Sequence, residues 1–171
     1  MKGYIQVYTG NGKGKTTAAL GLAVRALGAG KKVFIGQFAK SKHYSELETI
    51  DKLLKNITIR QYGMGCFIFE KPQEEDILAA QKGLQEITQI IESDEYDVII
   101  LDEANIAVYY NLITVDELIK AIRKRNERTE IIITGRYATQ EIMDFADLVT
   151  EMKEIKHYYQ QGVQARVGIE K

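Results

Sequence analysis

Thr9-Gly10-Asn11-Gly12-Lys13-Gly14-Lys15-Thr16 lies between an alternating apolar run, Tyr4-Ile5-Gln6-Val7-Tyr8, and an Ala/Leu-rich helical stretch from Lys15 to Leu27. A strand, a glycine loop and a helix that opens on Gly-Lys-Thr form the setting in which backbone cradles phosphate. The glycines let successive N–H groups turn inward as a nest for anionic oxygens. The helix N-terminus adds its positive end. Thr9, Gly10, Asn11, Gly12, Lys13, Gly14, Lys15, Thr16 and Thr17 are therefore the candidate nucleotide-binding residues. Lys15 would set an ammonium on the phosphates, and the Thr16 hydroxyl would ligate Mg²⁺. Thr9 stands where the pattern G-x-x-x-x-G-K-[ST] has its first glycine, and Gly10, Gly12 and Gly14 alternate instead. A glycine-rich turn with incidental lysines is the alternative, but Gly-Lys-Thr at a helix start is too specific for it.

Working outward, strand and helix patterns alternate. Lys32 to Gln37, Ile57 to Gln61, Val98 to Leu101 and Ile131 to Ile133 read as strands. Leu148 to Thr150 and Val163 to Ala165 read as late strands. Glu74 to Ile91 carries apolar residues at helical spacing (Ile77, Ala80, Leu84, Ile87, Ile91). Thr114-Val115-Asp116-Glu117 is a capping box that opens another helix, and Thr139 caps a short one carrying Ile142, Met143 and Phe145. Lys40 to Asp51 is polar and reads as a loop or a short irregular helix; its Lys40–Glu48 part is a candidate lid. The expectation is an α/β fold: a single P-loop domain over residues 1–171, with a mostly parallel, helix-flanked sheet. In such sheets ligands sit beyond the carboxyl ends of the strands.

With 171 residues the chain is long enough for one domain with a sizeable core. The 23 Lys+Arg and 24 Asp+Glu residues leave a net charge of −1, so no global field attracts nucleic acid or an anionic membrane. The lone cysteine, Cys66, excludes an internal disulfide and a multi-cysteine metal cluster. Two histidines exclude a His-rich metal site. No apolar stretch approaches the roughly 20 residues of a membrane span. The opening Met1-Lys2-Gly3 runs straight into a strand pattern without a signal peptide, so the expected address is cytoplasmic.

Leu101-Asp102-Glu103 ends a buried strand at the ligand edge. Beside a phosphate loop, one such carboxylate commonly helps to hold Mg²⁺. Asp102 and Glu103 are the candidate metal ligands with Thr16. From the residues alone, Glu103 is open to either role, metal ligand or water-orienting base. Arg136, just beyond a buried strand, is a candidate phosphate contact or a simple ion-pair partner.

The ordered set of these segments resembles the ATP:corrinoid adenosyltransferases of cobalamin biosynthesis and salvage. The opening Tyr8 to Ala19 is similar to the family's phosphate loop. Gly36-Gln37-Phe38, Met64-Gly65-Cys66-Phe67-Ile68-Phe69, Leu101-Asp102-Glu103-Ala104-Asn105 and Thr134-Gly135-Arg136 follow in order. Asp147 to Met152, Lys156-His157 and Gly162 to Glu170 resemble the family's tail. Phe69 stands where many relatives carry Trp, and Tyr158-Tyr159 replaces a Pro-aromatic pair.

The resemblance implies a RecA-like fold and transfer of the 5′-deoxyadenosyl group from ATP to the cobalt(I) of a reduced corrinoid, with release of triphosphate. It implies that ATP lies reversed in the loop, that Mg²⁺ assists, and that Glu103 is a metal ligand. Phe67 and Phe69 would face the corrin, displacing an axial ligand because they bring bulk and no lone pair. Lys15, Glu103, Phe67 and Phe69 are thus the expected catalytic residues. A homodimer and a reduced flavoprotein electron donor are further implications. The competing readings are a P-loop phosphotransferase or ATPase, and a module that binds nucleotide and delivers corrinoid without turnover.

Overall fold

A computed structural model describes residues 2–40, 44–64 and 72–170. The strands are β1 (Ile5–Thr9), β2 (Val33–Phe38), β3 (Ile57–Tyr62), β4 (Val98–Asp102), β5 (Glu130–Thr134) and β6 (Leu148–Glu151). They form one sheet in the order β3-β2-β4-β5-β1-β6. Every pairing is parallel, so all carboxyl ends lie on one edge. The helices are α1 (Lys15–Gly28), α2 (Ser45–Leu53), α3 (Glu74–Glu92), α4 (Ala104–Tyr109), α5 (Val115–Ile122) and α6 (Gln140–Phe145).

Side chains alternate across a strand, and β4 uses both faces. Val98 and Ile100 pack with Ala19, Ala23 and Ala26 of α1. Ile99 and Leu101 join Leu84, Ile87 and Ile91 of α3 and Leu118 and Ile122 of α5. The small residues of α1 therefore let the helix lie close on one face, while the longer side chains of α3 and α5 fill the other. Strands covered on both faces read as continuous apolar runs, and β2 and β4 are buried throughout. The helices expected after Lys15, Glu74, Thr114 and Thr139 form there. Thr114 and Glu117 close their capping box, and the Thr139 hydroxyl accepts from the Ile142 amide.

Two expectations need correction. Val163 to Ala165 is not a strand. A 3₁₀ turn at Tyr158–Gln161 ends on Gly162 at φ +82°, and the Val163 amide donates to the Tyr158 carbonyl. A local turn bond thus takes the Val163 amide, a donor that a ladder would have used. The polar stretch after Lys40 becomes a regular helix, α2, from Ser45; residues 41–43 lie outside the described ones. Among the described residues no helix is long and apolar enough to cross a membrane.

Candidate functional site

Parallel pairing sets β1 beside β5 and β5 beside β4. The loop after β1 must reach across the end of β5 to meet the end of β4, and it does. The Thr16 hydroxyl donates to Asp102 Oδ1 over 2.8 Å. The Thr134 hydroxyl, at the end of β5, donates to the same oxygen over 2.7 Å. Glycine geometry makes the turn possible: Gly10 and Gly14 sit at φ +94° and +121°, a region that side chains disfavour.

Gly14 caps α1 without a side-chain hydrogen bond. The first amides of a helix have no intrahelical partners, so the first turn of α1 offers donors toward the loop. Lys15 is 7% exposed. Its ammonium donates to the carbonyls of Gly10 (2.8 Å) and Gly12 (2.7 Å), holding the loop from inside. Burial draws the Lys15 ammonium below its ordinary value, and Arg136 adds to this, against the opposing pull of Glu103 and Asp102. Thr9 is buried, and its hydroxyl accepts from the Ala138 amide over 3.3 Å. The residue that replaces the pattern's first glycine thus ties the loop to the segment after β5.

Asp102 is 1% exposed and fully engaged. Besides the two hydroxyls on Oδ1, its Oδ2 accepts from Gln37 Nε2 (3.1 Å) and Lys40 Nζ (2.7 Å). Burial alone would raise this carboxyl. The Lys40 ammonium and the donated hydrogen bonds outweigh it and hold Asp102 below the usual carboxylate range. Lys40, conversely, is held above its ordinary value by Asp102 despite its burial.

Glu103 is placed by strain. It sits at φ +57° ahead of α4, and its amide donates to the Thr134 hydroxyl over 3.0 Å. Burial and the neighbouring Asp102 charge push its carboxyl up, while Lys40, Lys15 and Arg136 pull the other way. Asn105 joins α4 to the loop after β5, donating to the Gly135 carbonyl over 3.1 Å.

Lys15, Thr16, Asp102 and Glu103 therefore converge. Asn11 and Lys13 are exposed on the loop, and Thr17 is exposed in the first turn of α1. Arg136 is exposed and acts on Glu103 and Lys15 through its charge, without an ion pair among the described residues. Phe67 and Phe69 lie outside the described residues, as does Cys66. Sequence reasoning missed Lys40 as a site residue and gave no role to Gln37 or Thr134. The available signal was polarity in buried strands: Gln37 and Thr134 are each 0% exposed.

Thr16, Asp102 and Glu103 make a hard oxygen set of the kind that suits Mg²⁺. Among the described residues no group of three acidic, His or Cys side chains could hold a metal alone. Lys15, Lys40 and Arg136 face two carboxylates, an excess of positive charge suited to a polyphosphate.

A family model described as ATP:corrinoid adenosyltransferase BtuR/CobO/CobP matches residues 1–170. The corrinoid adenosyltransferase of Escherichia coli K12 is 34% identical over 170 residues, spanning 99% of this chain and 86% of the relative. Corrinoid adenosyltransferase CobA of Salmonella typhimurium LT2 is 36% identical over the same shares. The corrinoid adenosyltransferase of Pseudomonas aeruginosa is 31% identical over 99% of this chain and 84% of its own length. Among solved structures, the flagellar accessory protein FlaH of Methanocaldococcus jannaschii aligns with a TM-score of 0.61 at 17% identity. That alignment covers 88% of this chain and 71% of FlaH, and it bears on the fold alone.

Proposed function

Because the chain belongs to the ATP:corrinoid adenosyltransferase family and transfers the adenosyl group of ATP to a corrinoid, we propose that the phosphate loop and the acidic strand end divide that reaction between them. Cobalt(I) of the reduced corrinoid donates an electron pair to C5′. The C5′–O bond breaks, and its electron pair leaves with triphosphate. Phosphorus is not attacked, so the charge that matters grows at the α end of the leaving group. Fixed amides of the loop and the α1 terminus, with Lys15 and Arg136, are suited to absorb it. ATP lies in the loop in the sense that turns C5′ toward the corrinoid. Thr16, Asp102 and Glu103 would hold Mg²⁺ here, and the ion would supply further neutralisation of the triphosphate. Glu103 serves the metal rather than a water, because transfer needs no activated water.

Phe67 and Phe69 form the corrin wall in this proposal. Their rings bring bulk without a lone pair, leaving cobalt(II) four-coordinate and easier to reduce. Replacing both with Ala should spare ATP affinity and weaken the four-coordinate cobalt(II) signal in electron paramagnetic resonance. An unchanged signal in a folded double variant would return both rings to packing.

The proposal extends to a homodimer, a reduced flavoprotein donor and a cytoplasmic address, with residues 1–171 acting as one domain. Exposed apolar side chains at the β6 edge and beyond it (Leu148, Val149, Ile155, Val167) are consistent with a covered surface. Cobalt(I) chemistry calls for a reducing compartment.

The observation that carries the mechanism is the Thr16–Asp102 hydrogen bond, which joins the phosphate loop to the acid pair. Product analysis tests it. Triphosphate and a cobalt–carbon bond are expected; ADP and orthophosphate would instead mark a phosphotransferase or ATPase.

A further inference from the structure

Asp102 has no spare acceptor position. A carboxylate offers about four lone-pair sites, and Thr16, Thr134, Gln37 and Lys40 each donate to one of its oxygens. Three of these donors are fixed by regular structure: Thr16 in α1, Thr134 at the end of β5 and Gln37 in β2. Gln37 is itself held by Gln61, whose Nε2 donates to Gln37 Oε1 over 3.0 Å.

Lys40 differs from them. It lies two residues past β2, beyond Ala39 at φ +51°. Its backbone is pinned: the Ala39 amide donates to the Tyr62 carbonyl. Gly63 approaches so closely that a Cβ there would come within 2.7 Å of the Lys40 amide nitrogen. Only the side chain is free to exchange. Its exposure is 14% against 1% for Asp102, so the ammonium is on the solvent side of the pair. The Tyr44 ring lies 5.1 Å from it.

We propose that Lys40 is the resident cation of the acidic strand end, filling Asp102 Oδ2 in the free protein, and that a divalent metal engages Asp102 only by displacing it. This rests on the assignment of the acid pair to metal–ATP. A free divalent ion must break a buried pair and strand an ammonium. A metal–ATP complex brings phosphate oxygens that complete the metal's shell and give the released ammonium a new partner. Metal and nucleotide therefore load together, and the bare metal is kept out. Lys40 is a positioning residue in this account.

The test is Mn²⁺ binding to nucleotide-free protein, read from the loss of the free-ion signal in electron paramagnetic resonance. The wild type should bind Mn²⁺ weakly. Lys40→Met should bind it more tightly, on the order of tenfold or more, since a cation a few ångströms from the metal has gone. Mn²⁺ alone should also raise the melting temperature of Lys40→Met more than that of the wild type. Lys40→Gln can keep the hydrogen bond without the charge; it carries the same expectation if Lys40→Met does not fold. Equal Mn²⁺ affinity in wild type and a folded neutral variant overturns the inference. So does tight Mn²⁺ binding by the nucleotide-free wild type, which needs no variant to observe. Asp102→Asn separates the two levels. If it weakens Mn²⁺–ATP binding while the Lys40 variants behave as wild type, only the role of Lys40 falls. If it binds Mn²⁺–ATP normally, the metal assignment falls and takes Lys40 with it.

Discussion

The amide of Gly12 donates to the carbonyl of Met152 across 2.7 Å, so the phosphate loop is braced from outside by the chain that leaves β6. The Met152 amide returns a bond to the Thr9 carbonyl over 2.8 Å. One loop N–H is thereby turned away from the nest, and the remaining donors are held in register. The approach is close: a Cβ on Gly12 would lie 2.7 Å from the Met152 oxygen. Gly12→Ala should destabilise the protein by about 1–3 kcal/mol, the usual cost of forcing extra volume into a packed site. Nucleotide affinity should fall with it. Urea denaturation and a nucleotide titration check both, and unchanged values would show the loop to be independent of Met152.

Lys15 spans the same loop from inside through the Gly10 and Gly12 carbonyls. Lys15→Ala removes that internal tie and the buried ammonium together. ATP binding should weaken, and adenosyl transfer should fall by on the order of 10²–10³, as for loss of one transition-state charge contact. Initial rates with pre-reduced corrinoid, alongside calorimetric ATP binding, separate the two losses. A rate near wild type would remove the loop lysine from the mechanism.

How much of this was legible depended on whether a feature was local. The loop from Thr9 to Thr16 and the buried runs of β4 and β5 are local patterns, and their elements formed where expected. The helix α4 left no such mark. It has six residues and opens from Glu103 in a left-handed conformation without a side-chain cap. The mistaken strand at Val163 had the right residue types but no neighbour to pair with, because propensity is silent about partners. Lys40 was hidden for a different reason. Its meeting with Asp102 follows from β2 lying beside β4 with Gln37 opposite Asp102. Alternation of strands and helices predicts a parallel sheet but not its strand order. The same gap hid the joint grip of Thr16 and Thr134 on Asp102, which needs β5 between β4 and β1.

Tyr62 offers a pH test away from the acid pair. Its ring packs on Phe38 and against Gly83. Its hydroxyl is buried without a hydrogen-bond partner among the described residues. Burial pushes the phenol up to about 12. An unfolded tyrosine ionises near 10, so between these values the unfolded state has released a proton that the folded state keeps. Stability from this group is complete below pH 10 and is lost as pH rises toward 12. Tyr62→Phe removes that component. At pH 8 the variant should match or exceed wild type by about 1 kcal/mol, since a buried unsatisfied hydroxyl has gone. At pH 11 its advantage should be larger. Denaturation curves at the two pH values decide it, and a constant difference would mean that the phenol ionises equally in both states.

Glu103 separates transfer from hydrolysis. Its strained backbone and half-buried carboxyl, one residue from Asp102, suit a ligand delivered to a shared metal; a water-activating base would suit the same position in an ATPase. The two roles differ in what the wild type does without corrinoid. As a metal ligand, Glu103 leaves ATP intact until the cobalt nucleophile arrives, so orthophosphate release should be negligible. Glu103→Gln should then lower the transfer rate and raise the Mg²⁺ concentration needed for half-maximal activity, with part of the loss recovered at high Mg²⁺. As a base, Glu103 would give the wild type a steady corrinoid-independent ATPase that Glu103→Gln abolishes, and added Mg²⁺ would not restore it. Orthophosphate and triphosphate are measured in parallel across a Mg²⁺ series. Appreciable orthophosphate from the wild type without corrinoid, lost in Glu103→Gln at every Mg²⁺ concentration, would overturn the metal-ligand role.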